Sequence, residues 1–468
     1  MRDTLYNISL LLILAVCIFI SVVVNYGDKQ GTRKSMTNAF SKAFVDMKGL
    51  FGGTPAPTST PLRAFQLNYL LVYSLVFVSD WLQGPYIYAL YKSYGYELDS
   101  IALLFVAGFL SSAIFGTFVG SLADRLGRKL GALIFCVTYI ASCLTKLSPA
   151  FNVLMLGRLL GGVSTSLLFS VFESWMVAEH RARLFDEDSL SETFAWSTFA
   201  NALAAIVSGV VANIVVEIFG LVAPFMVASL ALLAAGYVIQ TTWTENYGQK
   251  QSETASQPSF LEVIGTIRAN QNIFAVGTMQ FCFESAMYTF VFLWSPVMEK
   301  AAGDTSIKLP FGVMFSSFMV CMMIGSTMFK VAVGKHVAFA SIATLTFAVA
   351  AVALLIPAIV SNEAIVYIAF NLFEACCGVY FPSVGTIRSQ IVPEATRSTV
   401  MNIFRIPLNL IVVVILLKVD ALPSQVFFLL CAGLISVAYY YSMGLAERLK
   451  MEHVSPDYEK VSEPGASH

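Results

Sequence analysis

The sequence predicts an all-α polytopic membrane protein: two six-helix bundles preceded by an extra amino-terminal helix. Two observations predict it. Twelve apolar stretches, each long enough to cross a bilayer, lie between Leu67 and Leu445, and of 468 residues 57% are hydrophobic and only 12% charged. A ~30 Å hydrocarbon core asks for roughly 20 apolar residues per helix, and soluble domains are about 25% charged. Only helices or closed barrels satisfy their backbone groups in lipid.

The expected spans are 67–91, 101–122, 130–148, 151–176, 194–216, 221–242, 273–297, 309–331, 337–360, 364–387, 398–418 and 424–446. Residues 1–24 hold a shorter apolar run, Leu5 to Val24, followed by Asn25-Tyr-Gly-Asp28 without a small-x-small cleavage site. That run is therefore expected to stay as an uncleaved anchor. Residues 25–64 form a polar cytosolic linker ending in Thr54-Pro-Ala-Pro-Thr-Ser-Thr-Pro61. The first bundle is expected over 65–242, a mixed-charge cytosolic linker over 243–272 and the second bundle over 273–446. The polar tail 447–468, with Pro456 and Pro464, is expected to be disordered.

Lysine and arginine set the orientation. The linkers, the tail and alternate loops carry 20 of the 28 Lys and Arg residues. The opposite face has Arg2, Lys92, Lys146, Lys300, Lys308 and Lys418. The positive-inside rule makes the rich side cytosolic, so the carboxyl terminus is expected in the cytosol and the amino terminus outside. The net charge of −1 says nothing about a nucleic-acid partner, and none is expected because the sequence has no basic, aromatic-laced patch of the kind such binding needs. All eight cysteines fall in apolar stretches and read as small buried residues, not disulfides or metal ligands. The pair Cys376-Cys377 has no His beside it, so neither metal nor cofactor is expected. No Walker loop or paired His-x-x-x-His occurs, which argues against ATP drive and against an enzyme.

Between the second and third spans lies Gly120-Ser-Leu-Ala-Asp-Arg-Leu-Gly-Arg-Lys129. Gly120 and Gly127 allow close backbone approach and a sharp turn. Asp124 can hold Arg125 or Arg128 and can also face a helix terminus of the other half. A cluster that forms in one state and breaks in another works as a conformational latch. A plain positive-inside stop signal would need neither the Asp nor the glycines. The segment resembles, at every defining position, the loop between helices two and three of the major facilitator superfamily. The resemblance implies the major facilitator fold and alternating access. The matching loop after span eight, Lys330-Val-Ala-Val-Gly-Lys335, is eroded, and span five lacks the Gly-Pro pair of the superfamily's drug–proton antiporters.

Ionisable residues inside spans cost roughly 2.5–3.5 kcal/mol at a helix centre and mark functional sites. They are Asp80 in span one, Arg158 in span four, Glu284 in span seven, Glu374 in span ten and Arg405 in span eleven. Glu173 lies ~33 Å along span four, near its cytosolic end. In the superfamily, spans one, four, seven and ten line the central cavity. Arg158 opens a run of small residues, and Arg158, Gly162, Thr165 and Phe169 share a helical face. The alternative for Arg158 is an ion pair with an acid from another helix; for Arg405 it is a place in the latch. Gly84-Pro85 should interrupt span one, leaving Gln83, Tyr86 and Tyr88 to bond something polar. Gln280 and Tyr288 lie one turn either side of Glu284. A carboxyl in low dielectric favours its protonated form, which suits a proton carrier. Fixed Arg–Glu pairs holding the halves together are the alternative.

Several blocks go further. Asp80-Trp-Leu-Gln-Gly-Pro-Tyr-Ile-Tyr-Ala-Leu-Tyr91, Thr138-Tyr139, Cys143-Leu-Thr-Lys-Leu-Ser148, Gly157-Arg-Leu-Leu-Gly-Gly162, Phe290-Val-Phe-Leu-Trp-Ser-Pro296 and Val379-Tyr-Phe-Pro-Ser383 resemble the eukaryotic molybdate-anion transporter family. The likeness runs from about Phe65 to Arg405 and includes Glu245-Asn-Tyr247. It implies molybdate uptake at the cell membrane; the intramembrane carboxylates make protons a candidate coupling ion, and a monomer in the bilayer is expected. The expected substrate-binding residues are Arg158, Asp80, Gln83, Tyr86, Glu284, Tyr288, Glu374 and Arg405. Arg offers planar, bidentate donors matched to a tetrahedral oxyanion, with Gln83, Tyr86, Asn201 or Tyr288 as neutral donors. Sulfate has the same shape and charge. A carrier for another small solute, or a non-transporting receptor on the same fold, are the competing readings.

Overall fold

The computed structural model describes residues 2–27, 61–248, 260–303 and 309–461. The described residues are helical, with turns between. In chain order the helices are α1 (Arg2–Gly27), α2 (Pro61–Trp81), α3 (Ile87–Ser93), α4 (Leu98–Gly116), α5 (Val119–Leu126), α6 (Arg128–Leu144), α7 (Phe151–Leu168), α8 (Val171–Ala182), α9 (Glu187–Phe219) and α10 (Ala223–Thr242). There follow α11 (Phe260–Ala269), α12 (Gln271–Ala302), α13 (Phe311–Gly334), α14 (Phe339–Ile359), α15 (Glu363–Ile391), α16 (Glu394–Leu417) and α17 (Ser424–Val461).

Among the described residues, twelve helical stretches are long and apolar enough to cross a membrane, the first being Thr4–Ser21. The span expected at 398–418 lies within α16, whose described apolar stretch is Ile403–Leu417.

Span one breaks where Gly84-Pro85 predicts. α2 stops at Trp81 and α3 starts at Ile87. Gln83 N–H shifts to the Asp80 carbonyl, and the Ser79 carbonyl thus released accepts from Gln83 Nε2 at 3.0 Å. Span four also breaks, at Phe169-Ser170, between α7 and α8.

The chain forms two compact units, Met1–Gln251 with Lys308–Val320, and Ser252–Ile307 with Cys321–His468. The expectation placed all of 309–331 in the second bundle. The first turns of α13 instead pack within the first unit. Ser316 Oγ donates to the Ile206 carbonyl at 2.8 Å, and Gly312 N–H donates to Tyr86 Oη at 3.3 Å. Gly312 lies against the Gly209 carbonyl so closely that a Cβ there would overlap it.

Within the first unit, α7 is pressed against α4 and α6 through its small residues. A Cβ on Gly162 would sit 2.5 Å from Ser111 Cβ, and one on Gly161 would reach Ser142 Oγ at 3.3 Å. Ser142 Oγ donates to the Gly157 carbonyl and Ser111 Oγ to the Leu159 carbonyl, both at 2.7 Å. These bonds satisfy hydroxyls that lipid could not. In the second unit Phe283 stacks on Tyr380 at 4.0 Å, joining α12 to α15. Gly378 of α15 admits the Met322 carbonyl of α13.

Residues 447–461 continue α17. Glu447, Arg448 and Lys450 are good helix formers, and Arg448 Nε is held by Asn272 Oδ1 at 2.7 Å. Residues 462–468, and 28–60 of the expected linker, lie outside the described residues.

Candidate functional site

In the first unit the titratable residues of α2, α6 and α7 converge. Arg158 is partly buried on the face of α7 that meets α4. Its Nε donates to the Leu104 carbonyl at 3.0 Å, and its Cζ lies 4.6 Å from the Phe105 ring centroid. The guanidinium rests on Gly108, where a Cβ would be 2.8 Å from Nη2. Arg158 makes no ion pair among the described residues.

Asp80, at the carboxyl end of α2, accepts from Tyr139 Oη of α6 at 2.5 Å. Tyr139 in turn lies within electrostatic reach of Arg158. The acid and the guanidinium thus flank one buried phenol.

Lys146 was counted on the outer face. It is 2% exposed and lies in a 3-10 turn, Thr145–Leu147, that closes α6. Its ammonium donates to the Ser142 carbonyl and to Thr145 Oγ1, both at 3.3 Å, and stands 5.9 Å from the Tyr91 ring centroid. The Tyr94 hydroxyl donates to the Lys146 carbonyl and pins the turn. Burial pushes the Tyr94 hydroxyl above the ordinary tyrosine value, so it stays a donor. A sequence signal was available: Tyr139, Cys143 and Lys146 follow i, i+4, i+7 spacing, one helical face.

The neutral donors expected around Arg158 are otherwise engaged. Tyr86 Oη donates to Asn213 Oδ1 at 2.7 Å, Asn201 Oδ1 accepts from Trp81 Nε1 at 2.8 Å, and Gln83 turns back to Ser79.

In the second unit Tyr380 Oη donates to Glu284 Oε1 at 3.1 Å. Arg405, exposed on α16, lies within electrostatic reach of both Glu284 and Tyr288. Gln280 accepts from Arg388 Nη1 at 3.5 Å, extending the polar stripe of α12. Glu374 stands apart: it is 6% exposed, and its Oε2 has no hydrogen-bond partner.

The loop Gly120–Lys129 binds to the segment that follows α10. Asp124 Oδ1 accepts from Arg128 Nε at 2.7 Å, and the Asp124 carbonyl accepts from Gly248 N–H at 2.8 Å. Arg128 N–H donates to the Asn246 carbonyl at 3.0 Å, and its Nη1 to the Ser174 carbonyl at 3.1 Å. Arg125 is exposed, and Gly120 runs past Ser170, where a Cβ added to the glycine would lie 3.5 Å from Ser170 Cβ. Gly127 takes φ 121°, beyond the reach of other residues without strain. Trp175 stacks on Trp243 at 3.6 Å and 5°, and Trp175 Nε1 donates to the Thr244 carbonyl at 2.9 Å. All eight cysteines are free and buried, and the described residues hold no cluster suited to a metal.

Residues 50–370 match the family model described as sugar transporters with 12 transmembrane segments. The solved nucleoside transporter NupG superposes with a TM-score of 0.67 at 11% identity, over 81% of this chain and 99% of that one, a likeness of fold alone. The protein is a multi-pass membrane transporter of the major facilitator type. The chain is 36% identical over 373 residues to the molybdate-anion transporter of Xenopus tropicalis, covering 77% of this chain and 78% of that protein. It is 34% identical over 394 residues to that of Takifugu rubripes, covering 76% and 79%. It belongs to the molybdate-anion transporter family.

Proposed function

We propose that this protein is a secondary carrier that takes up molybdate across the cell membrane by alternating access, with protons as the coupling ion. The observation that carries the reading is Arg158: a guanidinium within a spanning helix, seated on Gly108, with no acid as its counter-ion among the described residues. An unpaired charge there is costly, and a tetrahedral dianion supplies the missing partner in a form that suits a planar fork. The names of the relatives support the choice of anion.

Asp80, Glu284 and Glu374 are the proton-carrying candidates, with Gln83, Tyr86, Tyr288 and Arg405 as further contributors to the path. The Gly120, Asp124, Arg125, Gly127 and Arg128 loop acts as the latch between states. It does so through the segment after α10, to which Asp124 and Arg128 already bond. The carboxyl terminus is cytosolic, the amino terminus extracellular, and the working unit a monomer.

The test is uptake of labelled molybdate into liposomes holding the purified full chain. Uptake is expected to be faster when the lumen is alkaline, and Arg158→Ala is expected to abolish it. Unchanged uptake by Arg158→Ala would remove that residue from the site. A second reading, a carrier of another small solute, is favoured by the sugar-transporter description of the matching family model. Competition by sulfate and by neutral sugars in the same assay separates the two.

A further inference from the structure

Lys146 is a buried cation that the reading above leaves unused. No carboxylate pairs with it among the described residues. Both of its hydrogen bonds are 3.3 Å, longer than an N–H···O bond ordinarily is. Arg158 lies close enough for the two cations to repel each other. The nearby acid, Asp80, already takes the Tyr139 hydrogen. The Tyr91 hydroxyl, fully buried and making no hydrogen bond, lies beside the Arg158 guanidinium, and the Tyr91 ring stands 5.9 Å from the Lys146 ammonium. Gly157 lets this turn pack against α7, since a Cβ there would overlap Thr145 Oγ1 and lie 2.9 Å from the Lys146 ammonium. Two like charges, Lys146 fully buried and Arg158 partly so, beside a buried donor are an unfavourable arrangement in an empty protein. They become favourable around an ion of charge two that accepts hydrogen bonds on every side.

We propose that Lys146, Arg158 and the Tyr91 hydroxyl form a receptor for one tetrahedral dianion, with Lys146 as the second cationic ligand. The proposal rests on the oxyanion-carrier reading and adds two ligands to it. Arg158 clamps two oxygens of the anion, Lys146 neutralises the remaining charge, and Tyr91 donates to a further oxygen. Molybdate and sulfate share this chemistry, and the experiment separates them.

The full chain in detergent is heated with molybdate, with sulfate, or with chloride at matched ionic strength, and the same proteins are assayed for molybdate uptake in liposomes. Dianions are expected to raise the unfolding midpoint of the unaltered protein. Lys146→Met, which removes an unpaired buried charge, is expected to unfold no earlier than the parent without anion. It should lose the dianion-induced rise and show a half-saturation concentration about 10- to 100-fold higher. Tyr91→Phe is expected to shift half-saturation about 3- to 10-fold, and Lys146→Arg to restore part of the rise. If Lys146→Met does not fold, Tyr91→Phe carries the same test.

If Lys146→Met and Tyr91→Phe keep the parent's midpoint shift and half-saturation while molybdate is transported, the receptor is overturned and the carrier reading stands. A rise produced by sulfate alone, and lost in Lys146→Met, supports the receptor and removes molybdate as its ligand. If no dianion shifts the parent protein, the receptor and the oxyanion reading fall together.

Discussion

Glu245 caps the amino end of α6 from 116 positions along the chain: its Oε1 accepts from Lys129 N–H at 2.7 Å and its Oε2 from Leu130 N–H at 3.0 Å. The first amides of a helix have no partner within it, and a carboxylate at that end also meets the positive pole of the helix dipole. The carboxylate occupies the space above Gly127, where a Cβ would lie 2.5 Å from Glu245 Cδ. The superfamily loop and the segment leaving the first bundle are therefore one folded unit.

Gly127→Ala is expected to lower stability by about 1–3 kcal/mol, from the positive φ alone, with the displaced cap adding to it. Glu245→Ala should cost about 0.5–2 kcal/mol, as other helix caps do. Thermal unfolding in detergent measures both. Near-additive losses in the double variant would contradict the shared site, because contacting residues ordinarily couple.

Tyr139 and Asp80 should behave as a coupled pair. Tyr139→Phe leaves a buried carboxyl without its donor and is expected to cost about 1–3 kcal/mol. In Asp80→Asn the same ring change should cost less. A double-mutant cycle on unfolding reads the difference, and a coupling near zero would show that the contact contributes nothing.

Gly312→Val is expected to destabilise the protein by about 1–3 kcal/mol, because the larger side chain meets the Gly209 carbonyl and Asn213 in a closely packed contact. Ser316→Ala, which removes one hydroxyl contact to Ile206, should cost about 1 kcal/mol. Unfolding midpoints rank the two, and the reverse order would argue that the backbone approach relaxes easily.

Glu374→Gln keeps the shape of the side chain and removes the exchangeable proton. Its folding is expected to match the parent, since no cation depends on that carboxyl among the described residues. Molybdate exchange without a pH gradient should persist, while accumulation driven by an alkaline lumen should fall to the exchange level. Undiminished gradient-driven accumulation would take Glu374 out of the coupling path.

The helices were legible because hydropathy sums over adjacent residues. The break in span one was legible because proline's missing N–H acts locally. The glycine and acid–base spacing of the 120–129 loop was likewise carried by consecutive residues. The same reasoning failed at Lys146: at the end of the span expected over 130–148 it is counted on the outer face, where lysines are ordinarily exposed.

The order of helices along the chain, their apolar character and their kinship were determined by the sequence itself, since each depends on neighbours within a few turns. Which face each helix turns inward was decided only by the tertiary structure. Tyr139 on Asp80, Tyr86 on Asn213 and the Lys146 ammonium beside Arg158 each join residues from different helices. The last of these follows from how close Gly157 of α7 lets the turn after α6 come. Rotation of one helix about its axis by a single residue, about 100°, would undo them without altering the hydropathy of any span.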